Sequence, residues 1–388
     1  MTFEDGSYRS TPGVEITPYD FGGVEGINYL DFVEGMQVPQ TEYFASLIDA
    51  LKIEGYSVGK DLFGAPYDWR KPPHALEQED HWDQLRSLVE KAYELNDNTP
   101  VVFVCHSMGN LYFEYFLHHV VDRAWKAQHI AHYIAVAGPF LGAPTALRAL
   151  LSGLDYFPKL AGHDIVMGPL QQRELFRSLG SFMTLLPQKD LTDAHFNIGD
   201  TQYTSDDIAT LLDLTKSPTL GPMYSDQLGF LPELHEDPGV PVSCLWGEDT
   251  PTDLSLSYPS GDIDVAPNVE TTSGDGTVPV ASASHCQMWR SVTETAALSQ
   301  VDHVALVQNA TAVNWIVNRI AATSHQRFAF GVSTSGERGE SFSPWFMPLF
   351  AAAVAAIGFA VTYRRRIGIP VDLSQPLLGR NGEATEEP

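Results

Sequence analysis

The stretch Pro100-Val101-Val102-Phe103-Val104-Cys105-His106-Ser107-Met108-Gly109-Asn110 decides how this chain folds. Val101 to Val104 form a short apolar run rich in β-branched residues, which predicts a strand buried on both faces. Behind it Leu111, Tyr112, Tyr115, Phe116 and Val120 recur at helical spacing. A strand, a sharp turn with Ser107 at its apex and a helix together make the context of a nucleophile elbow. A serine is a weak nucleophile until a base takes its proton, and a strained turn lifts the hydroxyl toward such a base. The N–H of Met108, at the start of the helix, is the candidate donor to an oxyanion. Gly109 suits the close passage of strand and helix, whereas Cys105 stands where such turns usually carry a first glycine.

Outward from this stretch the chain alternates between helical and strand patterns. Phe44, Leu47, Ile48 and Leu51 give one helical face, and His81 to Leu95 a second amphipathic helix. Ile134 to Ala137 and Val240 to Trp246 read as further short buried strands. Such alternation predicts an α/β fold with a mainly parallel sheet covered on both faces, and sites at the carboxyl ends of its strands. Pro66-Tyr67-Asp68-Trp69-Arg70 sets a carboxylate beside a guanidinium, read as a buried ion pair at the sheet end. Residues 1–144 and 236–325 are expected to form the two parts of this core. Residues 145–235, with Gly and Pro punctuation and scattered aromatic and aliphatic side chains, predict a mostly helical cap. An apolar cap over a serine suits a greasy substrate.

A hydrophobic content of 44% with 19% charged residues describes a globular protein. The formal charge of −26 argues against nucleic-acid binding, which needs a basic footprint. The three cysteines show no zinc-type spacing, and neither a metal nor a cofactor is expected. Cys105 lies in the elbow, which leaves Cys244 and Cys286 as a possible pair. Residues 326–344 read as a linker. Trp345 to Tyr363 is an uncharged apolar run, long enough to cross a hydrocarbon layer of roughly 30 Å, and predicts a transmembrane helix. Arg364-Arg365-Arg366 follows it, which sets the tail of residues 364–388 in the cytosol and the main domain in a lumen or outside the cell. In that tail Ser374-Gln375-Pro376-Leu377-Leu378 is similar to a dileucine sorting signal.

Ser107, Asp275 and His303 come in the order serine, acid, histidine, the order of the α/β-hydrolases. Asp275 sits in the tight turn Ser273-Gly274-Asp275-Gly276-Thr277, and His303 opens the last helical segment, with Asp302 as a rival acid. His303 would take the Ser107 proton and return it to a leaving alkoxide, while Asp275 would fix the imidazole tautomer.

Pro66-Tyr-Asp-Trp-Arg70, His106-Ser-Met-Gly109, Gly138-Pro-Phe-Leu-Gly-Ala-Pro144, Asp275-Gly-Thr-Val278 and the His303 segment resemble the lecithin:cholesterol acyltransferase family. Lysosomal phospholipases and phospholipid:diacylglycerol acyltransferases are among its members. The likeness runs from about Gly13 to Arg319. It implies Ser107 as nucleophile, Asp275 as acid, His303 as base and Met108 as oxyanion donor. It further implies a disulfide between Cys244 and Cys286 and a glycan on Asn309 of the sequon Asn309-Ala310-Thr311.

The activity so implied moves a fatty acyl group from a phospholipid to a lipid alcohol (a sterol or diacylglycerol) or to water, in the secretory or endolysosomal system. A lumenal esterase or thioesterase and an impaired lipid-binding homologue are the alternatives. The family also begins with a strand ending in a Val-Pro-Gly-type loop and a lid segment. Nothing before Gly13 resembles these, so the chain is expected to be N-terminally incomplete.

Overall fold

The computed structural model describes residues 1–14, 16–29, 32–33, 36–37, 42–154, 159–160, 163–164, 168–330 and 354–357. Along the chain, helix α1 (Ala45–Ile53) leads to strand β1 (Leu62–Gly64), and helix α2 (His81–Leu95) to strand β2 (Val101–His106). Helix α3 (Gly109–Tyr115) follows the elbow, then strand β3 (Ile130–Val136) and helix α4 (Pro144–Leu151). The insertion carries the hairpin of β4 (Phe196–Ile198) and β5 (Thr201–Tyr203) beside its helices. The chain returns through β6 (Val242–Glu248), β7 (Thr250–Tyr258), β8 (Asn268–Gly274) and β9 (Val292–Ser299), then helix α5 (Ala310–Phe330) and β10 (Val354–Ile357).

The central sheet has the order β9-β6-β3-β2-β10-β1, and every neighbouring pair in it is parallel. Side chains alternate across a strand, and β2 divides its residues accordingly. Val101, Phe103 and Cys105 enter one core with Leu85 and Val89 of α2 and Leu111 and Tyr112 of α3. Val102 and Val104 enter the other with Leu47 and Leu51 of α1 and Ile316 and Ile320 of α5. Both faces are therefore dry, which is why these strands read as unbroken apolar runs. Cys105 is itself core, fully buried among these side chains.

A second sheet, ordered β5-β4-β7-β8, ties the insertion to the returning chain. Leu147 and Leu150 of α4, Phe196, Leu211 and Met223 share one core with Leu256 and Tyr258 of β7. Past β1, Asp68 and Arg70 form the expected buried ion pair, with Arg70 Nε 2.7 Å from Oδ1 and Nη2 2.6 Å from Oδ2. Cys244 of β6 is disulfide-bonded to Cys286, with Cα atoms 6.7 Å apart.

The transmembrane helix expected over residues 345–363 requires a correction. The part of it that is described, Val354–Ile357, is a strand between β1 and β2. Val354-Ala-Ala-Ile357 is a short apolar run with β-branched ends, and such a run fits a buried strand as well as a helix. The remainder of that segment lies outside the described residues, as do the linker from residue 331 and the tail from residue 364. No helix among the described residues is long and apolar enough to cross a membrane.

Candidate active site

Ser107 follows β2 with φ at 54°, in the left-handed region that side-chain-bearing residues rarely adopt. The turn is held in that shape from two sides. Ser107 N–H donates to the Val136 carbonyl at 3.0 Å, and the Asn110 amide donates to the Ser107 and Val136 carbonyls at 2.8 and 3.0 Å. Tyr133 in turn donates its hydroxyl to Asn110 Oδ1 at 2.8 Å. Met108, buried, adopts helical angles at the cap of α3, so its N–H lies at the helix start.

Asp275 follows β8 and is buried. Its Oδ1 accepts from the N–H groups of Thr277 at 3.0 Å and Val278 at 2.8 Å. Burial pushes its carboxyl up, but the His303 imidazole and those two N–H groups outweigh it, and the net displacement is downward. His303, at the start of the turn Val304–Val307, sets Nδ1 2.7 Å from Asp275 Oδ2 and Nε2 2.7 Å from Ser107 Oγ. Three residues separated by 196 and 28 positions thus meet in one hydrogen-bonded line. With Asp275 charged, Nδ1–H donates to it and Nε2 is left to accept the serine proton. That arrangement is able to attack an acyl carbon. Asp302 is exposed, and the carboxylate on the imidazole is that of Asp275.

Gly247, at the end of β6, was given no role by the sequence. A Cβ there would lie 2.4 Å from the Val301 carbonyl oxygen and 2.8 Å from Asp275 Cβ, so only glycine lets the acid turn pass. His106 and Tyr43 were likewise passed over. His106 is fully buried between the Tyr43 hydroxyl and the His303 carbonyl. The only signal for it was its place next to Ser107. Asn309 is exposed at the start of α5, its Oδ1 accepting from Thr311 N–H at 2.8 Å. Among the described residues no group of His, Cys, Asp and Glu could hold a metal ion.

The sequence profile described as Lecithin:cholesterol acyltransferase matches residues 4–218. The "Lysosomal phospholipase A and acyltransferase" of Bos taurus is 32% identical over 311 residues, which cover 78% of this chain and 73% of that protein. The Homo sapiens protein of the same name is 33% identical, covering 78% and 72%. The "Phosphatidylcholine-sterol acyltransferase" of Gallus gallus is 28% identical, covering 82% and 73%.

Proposed function

The chain belongs to the lecithin:cholesterol acyltransferase family, and we propose that it moves fatty acyl groups off phospholipids through an acyl-enzyme on Ser107. Ser107 Oγ attacks the ester carbonyl as its proton passes to His303 Nε2, while Met108 N–H faces the developing oxyanion. The tetrahedral adduct collapses, the ester C–O bond breaks, and the departing lysophospholipid oxygen takes the proton from His303. The acceptor, water or a lipid alcohol, then gives its proton to His303 and attacks the acyl carbon. Ser107 leaves with that proton restored. Donor and acceptor react in turn, which is a ping-pong scheme.

The observation that carries this reading is the line from Asp275 through His303 to Ser107, with both links at 2.7 Å. The relatives' names, lysosomal phospholipase A and acyltransferase and phosphatidylcholine-sterol acyltransferase, support phospholipid as the substrate class. The disulfide suits an oxidising lumen, and we assign the enzyme to the lumen of the secretory or endolysosomal system, with Asn309 as a glycan acceptor.

Phosphatidylcholine vesicles carrying a labelled acyl chain test the scheme. The enzyme should release lysophospholipid, and Ser107→Ala should lower that release by at least about 10³-fold. Added lipid alcohol should divert the label from fatty acid to ester, as a shared acyl-enzyme requires. A Ser107→Ala protein at the unsubstituted rate would remove this serine from the chemistry.

A further inference from the structure

Two residues left idle by this scheme hold the base in place. The His106 imidazole, fully buried at the end of β2, has Nδ1 2.5 Å from the Tyr43 hydroxyl oxygen and Nε2 2.9 Å from the His303 carbonyl oxygen. A carbonyl only accepts, so Nε2 must carry the proton. A neutral ring then presents its lone pair at Nδ1, and Tyr43 must be the donor there. Burial, with the His303 imidazole near by, pushes His106 down to about 3, so the ring keeps this neutral form in mildly acidic as well as neutral solution. On the other side of the same residue, His303 N–H donates to the Asp275 carbonyl at 2.9 Å. The backbone of His303 is thus clamped by the residue before the serine and by the acid, while its ring spans the serine and the acid.

We propose that His106, held in one tautomer by the His303 carbonyl and oriented by Tyr43, is a positioning residue that sets the distance between the His303 ring and Ser107 Oγ. The proposal rests on the reading of Ser107, His303 and Asp275 as the reacting line. One rigid strand end both presents the hydroxyl and holds the base's main chain, so an error in one is shared by the other. Losing the donor frees the His303 carbonyl and lets the ring drift. A misplacement of about 1 Å is enough to cost on the order of 10²-fold in rate.

The test compares His106→Phe, His106→Gln and Tyr43→Phe in the full chain. Two readouts are taken: kcat and KM on a soluble p-nitrophenyl ester, and the rate at which a fluorophosphonate labels Ser107. His106→Phe removes the donor and should lower kcat and labelling together by about 10²-fold, with KM within about twofold. His106→Gln keeps an amide N–H that reaches the carbonyl and should restore the rate to within about fivefold of the unsubstituted enzyme. Tyr43→Phe removes the donor to Nδ1 that orients the ring and should cost about three- to tenfold in kcat alone. Should His106→Phe fail to fold, His106→Asn replaces it, polar but too short to reach.

Equal rates for His106→Gln and the donorless variant would overturn the proposal. So would an unaffected Tyr43→Phe, or a loss carried by KM. If the fluorophosphonate leaves the unsubstituted enzyme unlabelled, the reading of the reacting line fails instead.

Discussion

A carboxylate serves an imidazole only if the right oxygen faces the right nitrogen, and Asp275 is arranged so that no choice remains. Oδ1 is occupied by the N–H groups of Thr277 and Val278, which leaves Oδ2 for His303 Nδ1. Asp275→Asn makes this concrete. The two backbone donors hold the amide oxygen of the asparagine, so its NH₂ must point at Nδ1. The imidazole then carries its proton on Nε2, facing Ser107, and the hydroxyl has no acceptor. We expect kcat to fall by about 10⁴-fold at neutral pH with little change in thermal midpoint. Asp302→Asn, at an exposed position, serves as the control and should stay within about twofold. A kcat for Asp275→Asn near that of the control would mean that the acid is elsewhere. At this scale the sequence carried Ser107, Asp275 and His303 because each lies in a motif or a turn of recognisable chemistry. His106 lay in the serine motif with no role of its own, and Tyr43 carried no signal. They are 63 residues apart, and only the fold, which sets the segment before α1 against the end of β2, makes them partners.

Between elements, the site depends on how closely three strand ends approach, and Gly247 is one of the points where they crowd. A methyl group there would press on the Val301 carbonyl, which leads into His303, and on Asp275 Cβ. Gly247→Ala should cost about 1–3 kcal/mol of stability as the backbones part. Because both neighbours belong to the reacting line, activity of the folded fraction should fall as well. Urea unfolding together with kcat per folded molecule checks this, and a stable, fully active Gly247→Ala would refute the crowding argument. The elements themselves were legible where burial on both faces left continuous apolar runs, as in Val101 to Val104, or where one face repeats at helical spacing, as in His81 to Leu95. They were less legible where the partner decides. Thr250-Pro-Thr-Asp-Leu-Ser-Leu-Ser-Tyr258 is polar on one side and became a strand only by pairing with β4 and β8. Val354–Ile357 shows the same ambiguity, since four apolar residues fit a strand slot or a helix equally.

For the molecule as a whole, the buried histidines set how stability answers to pH. Burial holds His81 and His132 down to about 4 and His106 to about 3, against an ordinary value near 6.5. Between those limits the unfolded chain binds protons that the folded chain refuses. Each such group therefore makes the fold less stable as pH falls, by roughly 1.4 kcal/mol per pH unit. Glu114 has the opposite sign. Burial raises its carboxyl to about 7, so below that pH the folded chain holds a proton that the unfolded chain releases until near its ordinary 4.5. These three histidines against Glu114 leave a net uptake of about two protons on unfolding between roughly pH 4.5 and 6.5, and His235, also lowered by burial, adds to it. Unfolding free energy should then drop by about 2–3 kcal/mol for each pH unit in that window and level off above it.

His81 isolates the effect, because its ring packs among Phe21, Tyr67 and Trp82, away from the reacting line. His81→Phe keeps an aromatic ring in that cage and removes one titrating site. Urea unfolding at pH 5.0 and pH 7.5 should show the slope reduced by about one proton, with the variant relatively more stable at the lower pH. An unchanged slope in His81→Phe would show that the acid sensitivity comes from elsewhere. The −26 charge is a second contributor, since carboxylate protonation near pH 4 relieves self-repulsion and works against the histidines there. His106, held down to about 3, stays neutral through this window and keeps its hydrogen bond to the His303 carbonyl beside Ser107.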